Sequence, residues 1–87
     1  MRDYSIFVVS QGEEIVYEED NKQFCFEVRL SQAPIQLYAG RYWIESPPVA
    51  YFELTEPERQ RIIPRLVAYL GSHGAEVDLI WKAFHQA

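Results

Sequence analysis

The stretch QFCFEVRL, residues 23–30, constrains the fold of this chain more than any other. Apolar side chains occupy every second position, and a period of two is typical of a β-strand with one face on a core. The alternating apolar residues are Phe24, Phe26, Val28 and Leu30. We expect the second face, which carries Cys25, Glu27 and Arg29, to be turned toward water or toward a partner.

The segments on either side of this stretch also favour strands. SIFVVS, residues 5–10, is rich in β-branched and aromatic residues, and it predicts a strand buried on both faces. EIVYEE, residues 14–19, predicts a second strand, and the Asp-Asn pair that follows it tolerates the positive φ of a tight hairpin. IQLYAGRYWIES, residues 35–46, predicts one or two more strands, with Gly40 at a bulge or turn. The short connections between these segments indicate an antiparallel meander.

A single long helix is predicted after the strands. Thr55 is a good N-cap, and Glu58, three residues later, completes a capping box. Pro64 falls inside this helix and removes one hydrogen bond, so we expect a kink that is convex toward solvent. The segment AEVDLIW, residues 75–81, then predicts a closing strand. The apolar face of the helix consists of Ile62, Ile63, Leu66, Tyr69 and Leu70.

These elements predict an α+β fold. The sheet is expected to be antiparallel and to contain four to six strands. One long, proline-kinked helix is expected to pack on one face of that sheet, with a strand after it. The 87 residues are enough for one domain, which we place at residues 1–87.

The charge balance limits the classes of partner. The chain has 8 Lys and Arg residues against 13 Asp and Glu residues, which gives a net charge of −5. Nucleic-acid binding depends on cations that replace phosphate counterions, so this balance argues against it. An acidic surface suits a basic protein partner, although it also serves solubility alone. The apolar run from Ile6 to Val9 is too short for a signal peptide or a membrane span, so we expect a cytoplasmic protein with no membrane association.

The residues that could support catalysis or metal binding do not form a recognisable motif. Cys25 could act as a nucleophile only with a base such as His73 or His85, and nothing in the sequence places these residues together. One cysteine and two distant histidines also lack the short paired spacing of a zinc site. The four glycines are scattered at turns and form no phosphate-binding loop. We therefore expect no enzymatic activity, no cofactor and no metal.

Two features remain as candidates for partner contact. The first is an acidic cluster around the first two turns, and the second is the aromatic pair that begins YWIESPP. The acidic cluster either binds a basic protein surface or is a solvated edge that prevents strand aggregation. Three arginines of the helix, Arg59, Arg61 and Arg65, are expected to be mostly solvated charges. The candidate contact residues are Glu13, Glu14, Glu18, Glu19, Asp20, Tyr42 and Trp43.

Three segments together carry a family resemblance. They are FCFEVRL, YWIESPP and ELTEPERQRIIPRLVAYLGSHGAEVDLI, and they cover most of the chain from about Phe24 onward. In this order they resemble the small α+β immunity proteins of bacterial polymorphic toxin systems. The resemblance implies a non-enzymatic inhibitor that binds a cognate toxin domain, and it assigns no catalytic residue. The alternative is a small accessory or regulatory subunit, or a homodimeric structural domain, with no toxin partner.

Overall fold

The computed structural model describes residues 3–31, 33–44, 48–72, 74 and 76–81. It confirms the predicted α+β fold. His73 and His85 lie outside the described residues. The elements, in chain order, are β1 (Tyr4–Val9), a 3₁₀ turn (Ser10–Gly12), β2 (Glu14–Glu19), β3 (Lys22–Arg29), β4 (Ile35–Ile44), β5 (Ala50–Phe52), α1 (Glu56–Gly71) and β6 (Val77–Ile80).

The described strands form one six-stranded sheet that begins as a meander. Strands β1, β2, β3 and β4 pair in sequence order, and each pair is antiparallel. The outer edge of β4 is shared by two strands. Residues 42–44 pair antiparallel with β5, and residues 35–38 pair parallel with β6. The predicted strand count is therefore confirmed, and the strand after the helix is a parallel one.

The predicted turn at Asp20 and Asn21 has the backbone that its sequence favours. Asp20 and Asn21 join β2 to β3 with φ of 54° and 62°. Two consecutive residues with positive φ match the right-handed twist of the flanking strands, which explains the tight hairpin. Gln11 and Gly12, with φ of 55° and 90°, make the turn between β1 and β2.

A bulge in β4 decides which side chains reach each face of the sheet. Cys25 is opposite Trp43 and Glu27 is opposite Tyr38, so β4 advances five residues where β3 advances two. The predicted irregularity at Gly40 lies inside this insertion. Extra residues on one strand redirect the side chains that follow them. As a result Tyr42 points into the core, and Trp43 points to the opposite face.

The helix begins at its predicted cap and covers one face of the sheet. The Thr55 hydroxyl accepts a hydrogen bond from the Glu58 N–H at 3.3 Å, and the Glu58 carboxylate accepts one from the Thr55 N–H at 2.9 Å. Pro64 is exposed and the helix continues through it to Gly71. The buried helix residues, Ile62, Ile63, Leu66 and Leu70, form the core with apolar side chains of β2, β3 and β4.

The prediction that β1 is buried on both faces is wrong. β1 is an edge strand, and its residues alternate between half-buried and exposed up to Phe7, which is 37% exposed. A continuous apolar run does not distinguish a central strand from an edge strand, because the pairing partners are remote in sequence. The helix-side residues of β1, Tyr4, Ile6 and Val8, pack against the core.

Candidate interaction surface

The face of the sheet opposite the helix, here called the open face, carries a row of mostly apolar side chains that crosses five strands. Pairwise strand register links each member of the row to the next. The two ends of the row are exposed, by 37% at Phe7 and 47% at Tyr51. Its centre is buried, with Val16 at 4% and Cys25 at 0%. This row, which we call the aromatic row, consists of Phe7, Val16, Cys25, Trp43 and Tyr51.

The far end of the aromatic row is a compact group of rings. The Trp43 and Tyr51 rings lie 6.1 Å apart between centroids. The Arg41 guanidinium carbon lies 4.4 Å from the centroid of the Tyr51 ring, which is a cation–π distance. Rings held by neighbours lose little conformational entropy if they bind a partner.

Charged side chains border the aromatic row on the open face. Strand register places Glu18 on one side of the row, between Ser5 and Gln23. On the other side, Glu14 is opposite Glu27. The carboxylates of the open face outnumber its guanidiniums, so the border of the row is acidic. The carboxylates are those of Glu14, Glu18, Glu27 and Asp78, and the guanidiniums are those of Arg29 and Arg41.

The expectation that Cys25, Glu27 and Arg29 all face water is only partly correct. Arg29 is partly exposed, but Cys25 is fully buried and Glu27 is only 7% exposed. Burying a carboxylate is costly unless it is paired, and Glu27 forms an ion pair with Arg29. Arg29 also approaches Glu13 at 3.9 Å. The centre of this face is therefore buried, although no described helix or strand lies over it.

The structure divides the predicted contact residues between two faces. Glu14, Glu18 and Trp43 share the open face, while Glu13 and Asp20 lie in turns. Tyr42 is a core residue, and its ring centroid lies 4.7 Å from that of Phe24. Glu19 lies on the helix side, where α1 supplies its partners.

Glu19 is the centre of a charged network between β2 and α1. Its carboxylate accepts hydrogen bonds from Arg61 Nε at 2.9 Å and from Arg65 Nη1 at 3.2 Å. Arg65 also donates to the Tyr17 hydroxyl, and its guanidinium lies over the Tyr4 ring. The expectation that Arg61 and Arg65 are mostly solvated is therefore wrong, because the helix brings them against the end of β2.

The network shifts the pKa values of its members, among them Glu19 and Tyr17. Burial by itself would raise the pKa of Glu19, but the hydrogen bonds and charges of Arg61 and Arg65 outweigh burial and hold this pKa below its usual range. Burial raises the pKa of the Tyr17 hydroxyl, and the hydrogen bond from Arg65 offsets that rise only in part. Glu19 therefore stabilises the attachment of the helix, and its carboxylate is already committed to partners within the chain.

Sequence reasoning missed Phe7 and Tyr51, which are the exposed ends of the aromatic row. The exposure of Phe7 was not predicted because Phe7 lies in a continuous apolar run. The face of Tyr51 was not predicted because Tyr51 belongs to a strand of only three residues. The sequence signal that could have identified Phe7 was its odd-numbered position in β1. Once β1 pairs with β2 through a short turn, the odd-numbered residues of β1 fall on the face opposite Ile6 and Val8.

The described residues include one of the candidates for catalysis, Cys25. Cys25 is buried within the sheet, so its thiol is not accessible to a substrate. Within those same ranges, no group of three or more His, Cys, Asp or Glu side chains has a geometry that could hold a metal ion. In the described part of the chain, no helix has both the length and the apolar character that crossing a membrane requires.

Comparisons with protein families, curated proteins and solved structures find no match to this chain.

Proposed function

We propose that the chain is a non-enzymatic protein-binding domain and that the open face of its sheet is the contact surface. The observation that carries this proposal is the aromatic row, which crosses five strands and ends in two exposed rings. Trp and Tyr side chains at the centre of an interface supply most of its binding energy. Trp43 and Tyr51 are therefore the proposed anchors, and Phe7 extends the contact to the opposite edge.

The acidic border of the aromatic row favours a basic partner. Charged groups at the rim of an interface steer the encounter and suppress partners of the same sign. Glu14 and Glu18 lie on either side of the row and supply this rim. Their charges are part of the net charge of −5 carried by the whole chain.

Among basic partners, we propose a bacterial toxin domain. The support for this step is the sequence resemblance to the immunity proteins of polymorphic toxin systems. A toxin that acts on nucleic acid has a basic active site, because it must bind phosphates. Carboxylates beside an aromatic row can occupy such a site in place of those phosphates and block access of the substrate.

Co-expression tests this proposal. The protein encoded next to this chain in its genome would be expressed alone and together with the chain, with growth and co-purification as the two readouts. We expect the neighbour to stop growth and the chain to restore growth and to co-purify. A harmless neighbour, or a toxic neighbour that the chain neither binds nor neutralises, would exclude the inhibitor function and favour an accessory subunit.

A pair of variants connects the rescue to the open face. Tyr51→Lys removes an exposed ring of the row and adds a cation, so we expect it to lose rescue against a basic partner. Gln60→Lys adds the same charge on the exposed side of the helix, where Lys can replace the contact of Gln60 with Glu56, and we expect full rescue. Equal rescue by both variants would place the contact elsewhere.

A further inference from the structure

The edge strand β1 has none of the features that usually protect a sheet edge. Natural edge strands carry charges or proline, or are very short or bulged, because an unprotected edge pairs with other chains. β1 has six residues, YSIFVV, without a charge or a proline, and it keeps regular register with β2 along its whole length. In the described part of the chain, β1 ends the sheet order, so no strand pairs with its outer side.

Both faces of β1 are apolar as well. Ile6 and Val8 contact the core on the helix side, and Phe7 is 37% exposed on the open face. A strand added to the outer side of β1 would bury further apolar surface on both faces, which is favourable. The edge is therefore suited to strand addition, not only to contact with water.

A groove beside β1 provides space for the side chains of an added strand. It lies between β1 and the helix and has a volume of about 140 Å³. Residues of the added strand that lie opposite Tyr4 and Ile6 would project their side chains into this groove, on the helix side of the sheet. The groove is lined by Tyr4, Ile6, Arg65, Ala68, Tyr69 and Ser72.

We propose that the occupant of this edge is a second copy of the chain. The two β1 strands pair antiparallel about a two-fold axis perpendicular to the sheet, with Phe7 opposite Phe7 of the second copy. In this register Ile6 is opposite Val8 of the second copy on the helix side. Ser5 is opposite Val9 on the open face. Each of these pairs therefore consists of apolar or small residues. Two-fold pairing of this kind is isologous, because the same patch serves both copies.

The distribution of charge favours a second copy as the occupant of the β1 edge, although the chain as a whole is acidic. Residues 4–12, YSIFVVSQG, contain no charged side chain, although the whole chain carries a net charge of −5. Two antiparallel copies therefore bring no like charges together along the paired strands. A basic or acidic peptide would find no complementary charge on this strand, and Arg65, the charged side chain of the groove, is already bonded to Glu19 and Tyr17. β1 is instead complementary to itself.

The dimer would join two sheets into one and place both open faces on the same side. The aromatic rows of the two copies then meet at the Phe7 pair and continue across the two-fold axis. This inference is independent of the proposed toxin partner, because it depends on β1 alone.

Sedimentation of the purified chain tests the proposal. We expect a dimer for the wild type and a monomer for Phe7→Lys, because two like charges would face each other at the two-fold axis. Tyr51→Lys is the matched control, since it adds the same charge at the exposed opposite end of the aromatic row, and it should stay dimeric. A mixture of Phe7→Lys and Phe7→Glu should recover a mixed dimer. A monomeric wild type, or a dimeric Phe7→Lys, would overturn the proposal.

Cysteine cross-linking tests the register. Facing Cβ atoms of antiparallel strands lie about 4.5–5.5 Å apart, close enough for a disulfide after small adjustments. We expect Phe7→Cys to form a cross-linked dimer on oxidation, and Val9→Cys, which lies far from its own copy in this register, to remain unlinked. The native Cys25 is fully buried and is shared by both variants. Cross-linking of Val9→Cys but not of Phe7→Cys would exclude this arrangement.

Discussion

The Arg61 guanidinium of the helix donates a hydrogen bond of 2.9 Å to the Glu19 carboxylate at the end of β2, and the two residues are 42 positions apart in the chain. Arg65, one helical turn later, donates to the other oxygen of the same carboxylate at 3.2 Å. This contact fixes the helix over the first hairpin. It also removes Glu19 from the set of carboxylates available to a partner.

Replacing Glu19 with Gln should destabilise the fold and not only a binding surface. Hydrogen bonds to charged groups stabilise by roughly 1.5–3 kcal/mol, and partial exposure of both arginines reduces this, so we expect a loss of about 1–2 kcal/mol. Glu18→Gln, at the neighbouring position on the open face, is the control and should cost less than about 0.5 kcal/mol. Urea denaturation of both variants at neutral pH measures the difference, and equal midpoints would contradict the role given to Glu19.

The same network predicts a pH dependence of stability. The folded pKa of Glu19 is lowered below its reference value of 4.5, so the unfolded chain binds the proton more tightly. The stabilisation by Glu19 is therefore present above about pH 4.5 and is lost as the pH falls through the folded pKa. We expect the stability difference between wild type and Glu19→Gln to shrink between pH 6 and pH 3. A difference that stays constant over that range would contradict the assignment.

The capping box gives a local test of the helix. Thr55→Ala removes the acceptor for the Glu58 N–H, and losing an N-cap side chain costs about 1 kcal/mol. Thr55→Ser keeps the hydroxyl and should cost much less. Thermal unfolding followed by circular dichroism distinguishes them, and an unchanged midpoint for Thr55→Ala would show that the cap does not limit stability.

The β2–β3 hairpin predicts opposite effects for two substitutions at one position. Asn21 has φ of 62°, where a residue with a Cβ pays about 1–2 kcal/mol unless it is Asn or Asp. Asn21→Ala should therefore destabilise the protein by about 1 kcal/mol. Asn21→Gly removes the steric cost and should leave stability unchanged or slightly higher. If Ala were tolerated as well as Gly in equilibrium unfolding, the hairpin would have a different turn.

The acidic border predicts an effect on association rate. Reversing Glu14 and Glu18 to Lys should slow association with a basic partner by about tenfold or more at low salt, with less change at high salt. Reversing Glu53 and Glu76, which are exposed carboxylates outside the strands, changes the net charge equally and serves as the control. Stopped-flow or surface-based kinetics at two salt concentrations would show whether position or net charge governs the rate.

Features that depend on neighbouring residues were predictable from the sequence. The strand predicted from the alternation in residues 23–30, the capping box at Thr55 and the Asp20-Asn21 turn each depend on contacts within a few positions, and all three elements occur. The expected exposure of the polar face of that strand does not hold, because Cys25 and Glu27 are buried. One helix with a kink at Pro64 was predicted, and a single helix does extend from Glu56 to Gly71 with Pro64 inside it.

Features that depend on strand order were not predictable. Nothing local indicates that β4 pairs with both β5 and β6, or that β1 lies at the edge. The ion pairs of Glu19 were also not predictable, because its partners, Arg61 and Arg65, lie 42 and 46 positions further along the chain. The aromatic row depends on four strand registers at once, so its two exposed ends emerge only from the assembled sheet.

Two adjacent residues of β5 allow the most direct test of binding through the open face. Tyr51 and Phe52 are 47% and 43% exposed, but Tyr51 pairs with Trp43 on the open face and Phe52 pairs with Tyr42 on the helix side. The measurement is the affinity of Tyr51→Ser and Phe52→Ser for the neighbour-encoded protein by titration calorimetry. We predict a loss of about tenfold or more for Tyr51→Ser, as for an interface anchor, and a change of less than about threefold for Phe52→Ser. Equal losses, or a larger loss for Phe52→Ser, would contradict binding through the open face.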